Sequence, residues 1–132
     1  TPVFEQYGVD LAYSGHSHIY ERSKYINGNV GLSEAFNNAT MAELTPAGEV
    51  SSGQGDEAYT QITRSGVDDK VVYTVAGNGG KITSTSEGYP HPAHFFSELA
   101  LGSVVIDVDD KRLEASFVGV NGEVLDSFVM TR

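Results

Sequence analysis

The sequence predicts an α/β fold that is mostly β in content and ends in an antiparallel meander. Three observations predict it. Residues 102–130 hold three runs rich in Val, Ile, Leu and Phe, separated by Asp109-Asp110-Lys111 and by Asn121-Gly122. Residues 70–76 are a β-branched run, Lys-Val-Val-Tyr-Thr-Val-Ala, closed by Gly77-Asn78-Gly79-Gly80. At the other end, a helix signature, a glycine, a short apolar run and a second glycine-bearing loop follow one another, which is the grammar of an α/β unit.

Taken in order, residues 1–8 read as the last turns of a helix. Pro2 suits a first helical turn, and Gly8 suits the left-handed residue that ends one. Residues 9–13 are apolar apart from Asp10 and are expected to form a buried strand, broken by Ser14-Gly15. A loop at that end of a strand is where open α/β sheets hold ligands. Residues 23–59 carry Asn-Gly, Asn-Asn, Pro-Ala-Gly and Ser-Ser-Gly-Gln-Gly, so they read as a long surface excursion with one short strand at 42–44. An excursion of that length is expected to be a lid or a mobile segment.

A strand at 70–76 follows, then a second loop at 84–96 with Tyr89-Pro90-His91-Pro92 in its middle. Strands are predicted at 102–108, 112–120 and 123–130. Asn-Gly between two apolar runs is a strong hairpin signal. Along 112–120 the large apolar residues fall mainly on odd positions, starting at Leu113, so one face of that strand is half-buried.

Composition bounds the partners. The chain has 132 residues, enough for one domain or part of a larger one, and a formal net charge of −10. That charge repels phosphate backbones and anionic lipid, so no nucleic-acid or membrane partner is expected. There is no cysteine, which excludes disulfides, cysteine zinc sites and thiol nucleophiles. The chain opens at Thr1-Pro2 rather than at Met, and an upstream part is expected.

The segment that carries chemistry is Ser14-Gly15-His16-Ser17-His18-Ile19-Tyr20-Glu21-Arg22-Ser23. Two histidines at i and i+2 in extended backbone project to one side. Neutral imidazoles ligate zinc, iron and manganese. Gly15, lacking a side chain, would let the backbone approach a metal or an oxyanion. Spacing alone leaves two readings open: a ligand pair, or two loop histidines with ordinary hydrogen bonds.

A strand, then Gly15-His16-Ser17-His18, then Tyr20-Glu21-Arg22 closely resembles the last metal-binding motif of the calcineurin-like metallophosphoesterases. The Tyr-Glu-Arg extension resembles the purple acid phosphatase branch. Weaker similarities continue through Tyr25-Ile26-Asn27-Gly28 with Gly31, Val72 through Gly77, His91-Pro92-Ala93, Gly102-Ser103-Val104-Val105 and Gly122 through Phe128, so that residues 1–132 look like the C-terminal portion of one such domain. The resemblance implies a four-layer αββα sandwich with a dinuclear metal site at strand C-termini. It implies iron paired with zinc, manganese or a second iron, with His16 on one ion and His18 on the other. It also implies a phosphoester substrate in the parent protein and, as partner, the N-terminal part of the same domain. Members of the family are commonly secreted, which leans towards a secreted or periplasmic protein.

The departures matter equally. The family's other ligand motifs, Asp-x-His, Gly-Asp-x-x-Tyr or -Asp, Gly-Asn-His-Glu and a further histidine motif, are absent from this sequence. Two imidazoles do not complete a four-coordinate site. The chain alone is therefore expected to bind metal weakly or not at all and to hydrolyse nothing, with no catalytic residue of its own and its substrate-binding residues open. Glu21 and Arg22 are expected to pair with each other behind the ligands, the alternative being that Arg22 meets a phosphate, and Tyr20 is expected to pack. His91 and His94 are expected on a wall or surface, not as ligands. Gly77-Asn78-Gly79-Gly80 reads as a strand-ending turn and not a P-loop, since no Lys-Ser/Thr follows it; Asp68-Asp69 and Asp109-Asp110 read as solvated turns. The competing reading is a non-enzymatic β-rich binding or adhesive module whose loop histidines are incidental.

Overall fold

The computed structural model describes residues 2–60, 69–85 and 89–132. Thr1, Asp68 and residues 86–88 of the predicted 84–96 loop lie outside the described residues. The chain runs α1 (Pro2–Gln6), β1 (Leu11–Ser14), β2 (Tyr20–Ser23), α2 (Asn38–Met41), β3 (Tyr59–Thr60), β4 (Val72–Ala76), β5 (His94–Glu98), β6 (Gly102–Val108), β7 (Arg112–Gly119) and β8 (Val124–Thr131). The strands form two mixed four-stranded sheets, ordered β1-β4-β2-β5 and β3-β8-β7-β6. This is the mostly β architecture that the sequence predicts. No described helix is long and apolar enough to cross a membrane.

The meander forms where its turn chemistry allows. The Asp109 carboxylate accepts from the amides of Lys111 and Arg112 at 2.7 and 2.8 Å, closing the β6–β7 turn. Gly122 sits at φ 83°, a backbone region that its missing Cβ opens to it, and closes the β7–β8 turn. β6 and β7 then pair without a slip from Gly102↔Gly119 to Val108↔Leu113. Phe117 faces Asp126 in the β7–β8 register, and a bulge directly after it shifts the pairing so that Val118 faces Val124.

The sheets pack face to face. Leu11, Tyr25 and Val72 from one side meet Tyr59, Leu113, Ala115, Phe128 and Met130 from the other. Phe117 and Phe128 are fully buried, and burying a side chain of that size contributes about 1.5–3 kcal/mol. The sandwich is uncovered along one side. β1 pairs with β4 only, and no described strand lies on its other edge. Opposite, Ile106 and Val108 pair with the core residues Ala115 and Leu113, yet they are 44% and 61% exposed.

Several expectations are corrected. The first strand begins at Leu11, two residues late, because Val9 still closes the helix end: its amide donates to the Phe4 carbonyl at 2.9 Å. Residues 42–44 make no strand; Ala42 bridges to Ile26 and Leu44 to Val50, each in isolation. The 84–96 loop ends early, since His94 already starts β5, paired to β2 across the sheet. The 23–59 excursion is not detached from the sheets. Ile26 and Val71, next to β4, exchange backbone bonds at 3.1 and 2.8 Å, and Val129 of β8 donates to Gly53 at 2.7 Å, so backbone bonds tie it to both sheets.

Candidate functional site

The connection from β1 to β2 is the five residues Gly15 to Ile19. β1 runs parallel to one edge of β4 and β2 antiparallel to the other. This short loop must therefore cross the C-terminal end of β4, a span of two strand spacings, or about 10 Å. The histidines ride on that crossing. The Gly77 amide, at the end of β4, donates to the Ile19 carbonyl at 3.3 Å, and the Thr83 amide donates to the His18 carbonyl at 3.1 Å.

Within the loop His16 takes φ 77°, the only non-glycine residue with positive φ among those described. A side chain in left-handed backbone is disfavoured by about 1–2 kcal/mol. His16 is exposed and His18 half-buried. Both line one cleft of about 490 Å³, with Ser17, Glu21, Thr83 and Tyr89 also on its wall. The two rings thus share a cavity, but for a different reason from the one expected. The backbone is a bend rather than an extended run, and the positive φ at His16 replaces strand alternation. Gly15 is not crowded, since a Cβ there would meet nothing within 4 Å.

As a donor set, two imidazoles on one cleft suit a first-row metal. Among the described residues, however, no group of three or more His, Asp or Glu side chains is arranged to hold an ion. The residues present fit as contributors to a centre and do not amount to one.

Arg22 corrects a second expectation. It does not pair with Glu21, because neighbouring strand residues point to opposite faces. Glu21 faces outward to the clefts, whereas Arg22 points inward and is fully buried. There it holds Asp126 of β8 through two bonds, Nε at 2.6 Å and Nη2 at 2.8 Å. Nη1 donates to the Ser52 carbonyl at 3.2 Å and the Tyr59 hydroxyl at 3.0 Å. The guanidinium also lies 4.5 Å from the Phe95 ring centre and 5.1 Å from that of Phe128. Burial opposes its charge, but the bond and charge of Asp126 outweigh this, and its pKa is raised.

Tyr20 packs as expected, stacked on Phe117 at 4.1 Å and 4°. It also donates to Asp126 at 2.9 Å. Burial, then Asp126, pushes its hydroxyl pKa far up; burial pushes those of Tyr13 and Tyr59 up to about 12. All three therefore stay neutral donors at physiological pH.

His91 and His94 sit where a wall role predicts. They line a separate cavity of about 550 Å³ on the outer face of the first sheet, with Tyr73, Glu21 and Ser23. Their rings lie 5.9 Å apart. Burial lowers the pKa of His94; Glu21 opposes this, and His91 and Lys24 reinforce it.

Two residues escaped the sequence reading. Asp126 was legible in principle: Asp126, Phe128 and Met130 alternate along one strand, and an acid in register with two large apolar residues calls for a buried partner. Gly77 was not legible, since its crowding comes from a loop far away in sequence.

The fold has a solved counterpart. It is similar to a purple acid phosphatase from seeds of yellow lupin (Lupinus luteus), with a TM-score of 0.70 and 22% identity, over 99% of this chain and 19% of that one. The chain thus spans a minor part of that protein's length. No family model and no curated protein matches the chain. At this identity the likeness establishes architecture: the two mixed sheets are consistent with the C-terminal part of the purple acid phosphatase fold.

Proposed function

We propose that this chain is the C-terminal portion of a metal-dependent phosphoesterase domain, and that it contributes His16 and His18 to a dinuclear centre completed by residues from the N-terminal portion of the same domain. The observation that carries this reading is the pair of imidazoles on one cleft, presented by a Gly-His-x-His loop at the C-terminal end of a strand. The likeness to the lupin phosphatase supports it at the level of fold. The open edge of β1 and the exposed Ile106 and Val108 support completion by further chain, because an unpaired edge and an uncovered core face are surfaces that a folded domain normally buries.

When bound, two metals would polarise phosphoryl oxygens and supply a hydroxide nucleophile at modest pH. In this chain the contributing groups are the two imidazoles, one for each ion, iron being one of the pair. Glu21 and Tyr89 share the cleft wall. Burial pushes the Tyr89 hydroxyl up to about 12, so it stays neutral beside the site. By itself the chain is inactive, for want of the other ligands.

The test joins the chain to the remaining ligand motifs in one domain and assays a generic phosphomonoester. Turnover should appear there and not with this chain plus iron, zinc or manganese. Turnover by the isolated chain that survives repurification and vanishes in His16→Ala would overturn the division of the site.

A further inference from the structure

We infer that Gly77 is the positioning residue of the histidine pair: its missing side chain lets the β1–β2 loop lie directly on the end of β4, and that contact sets where His16 and His18 stand. The functional meaning of this rests on the ligand reading above; the geometry does not.

The argument starts from topology. β1 and β2 flank β4, so the Gly15–Ile19 connection has to pass over the residue that follows Ala76. That residue is Gly77. A Cβ built on it would stand 2.1 Å from the Ser17 carbonyl oxygen, 3.0 Å from its carbon and 3.4 Å from the His16 amide nitrogen. These are backbone atoms with no rotamer to yield. Ser17 is the residue between the two histidines, so its carbonyl cannot move without turning one or both imidazoles.

Two amide bonds complete the seat, Gly77 to Ile19 and Thr83 to His18. With the carbonyls of His18 and Ile19 tied down and that of Ser17 in contact, His16 is left to take up the remaining turn. It does so in left-handed backbone at φ 77°. Gly80 supplies the contrast on the same connection: a Cβ there meets nothing within 4 Å, and its φ is not in the left-handed region. Gly77 and Gly80 are both small, but only Gly77 is small for a steric reason.

The experiment compares Gly77→Ala and Gly80→Ala in the isotope-labelled chain by nuclear magnetic resonance, with Zn²⁺ as the probe metal. Gly77→Ala should move the amide and imidazole signals of residues 16–19 most, leave β7 and β8 near their places, and weaken Zn²⁺ binding at least about tenfold, the loss typical when a ligand's support is removed. Gly80→Ala should do neither. Unchanged 16–19 signals in Gly77→Ala, or equal disturbance by Gly80→Ala, would overturn the inference. If Gly77→Ala fails to fold, amide exchange in the unsubstituted chain decides. Joint protection of the Gly77 and Thr83 amides supports the seat, and rapid exchange at both refutes it. Should the unsubstituted chain bind no measurable Zn²⁺, as two imidazoles without the remaining ligands allow, the signal shifts alone decide the role of Gly77.

Discussion

His18 and Arg22 stand four positions apart and obey opposite rules. Arg22 is fully buried, with five bonding and ring partners drawn from β8, β5 and the 23–59 excursion. In the histidine loop His16 is exposed and His18 half-buried; the loop is held through its backbone and carries a disfavoured φ at His16. The first region closes on itself: every polar atom of the guanidinium has a partner, and the assembly locks two sheets together. The second is tied down through its backbone and carries local strain at His16. Strain at an exposed position is a reason to test that residue for a role beyond folding, whereas a saturated buried pair is accounted for by the fold alone.

That contrast can be broken from the buried end first. Arg22→Met leaves Asp126 buried without its counter-charge and should destabilise the chain by about 3–5 kcal/mol in urea unfolding. Arg22→Met with Asp126→Leu should recover more than half of that loss, since the penalty lies in the orphaned charge. Failure to recover would mean that the aromatic contacts and the Ser52 and Tyr59 bonds dominate. Tyr20→Phe removes one hydrogen bond to a charged acceptor and should cost about 1.5–3 kcal/mol. It should leave metal content unaltered in a completed domain.

At the exposed end the sizes invert. His16→Ala and His18→Ala should change stability by no more than about 0.5 kcal/mol, yet in a domain carrying the remaining ligands each should deplete chiefly one metal, as read by elemental analysis. Both variants keeping two metals and near-normal turnover would restore the incidental-histidine reading. His16→Gly should be more stable than His16→Ala by about 1 kcal/mol, because glycine accepts the positive φ. Equal stabilities would remove the argument from strain.

The smallest effect sharpens the comparison by pH. Burial lowers the folded-state pKa of His94 below its ordinary 6.5, so the unfolded chain binds the extra proton first. The associated stability is full above about pH 6.5 and is lost as pH falls towards the folded value. His94→Gln should flatten that slope in denaturation midpoints measured across the acid range. A slope that persists belongs to other groups; Glu21, His91 and Lys24 are the charged or titratable neighbours to examine.

Much of this was legible residue by residue. Turn chemistry announced the C-terminal meander, because Asp109 and Asn121-Gly122 act locally, through their own side chains and φ angles. The Gly-His-x-His loop was legible for the same reason. Strand β5 was hidden because its half-buried pattern lacks clean alternation and its pairing to β2 is long-range. The attachments of the 23–59 excursion were hidden because turn residues signal where the chain bends, not what it bends against.

The sequence by itself determined the local matters: which stretches prefer strands, where they turn, and that two imidazoles lie beyond the first strand. Only the tertiary structure decided the partnerships. That Arg22 meets Asp126 rather than Glu21 follows from strand alternation combined with the packing of two sheets. That Gly77 bears the histidine loop follows from β4 being threaded between β1 and β2. Propensity and turn chemistry act over a few residues, whereas a contact between residues 22 and 126 exists only once both sheets are in place.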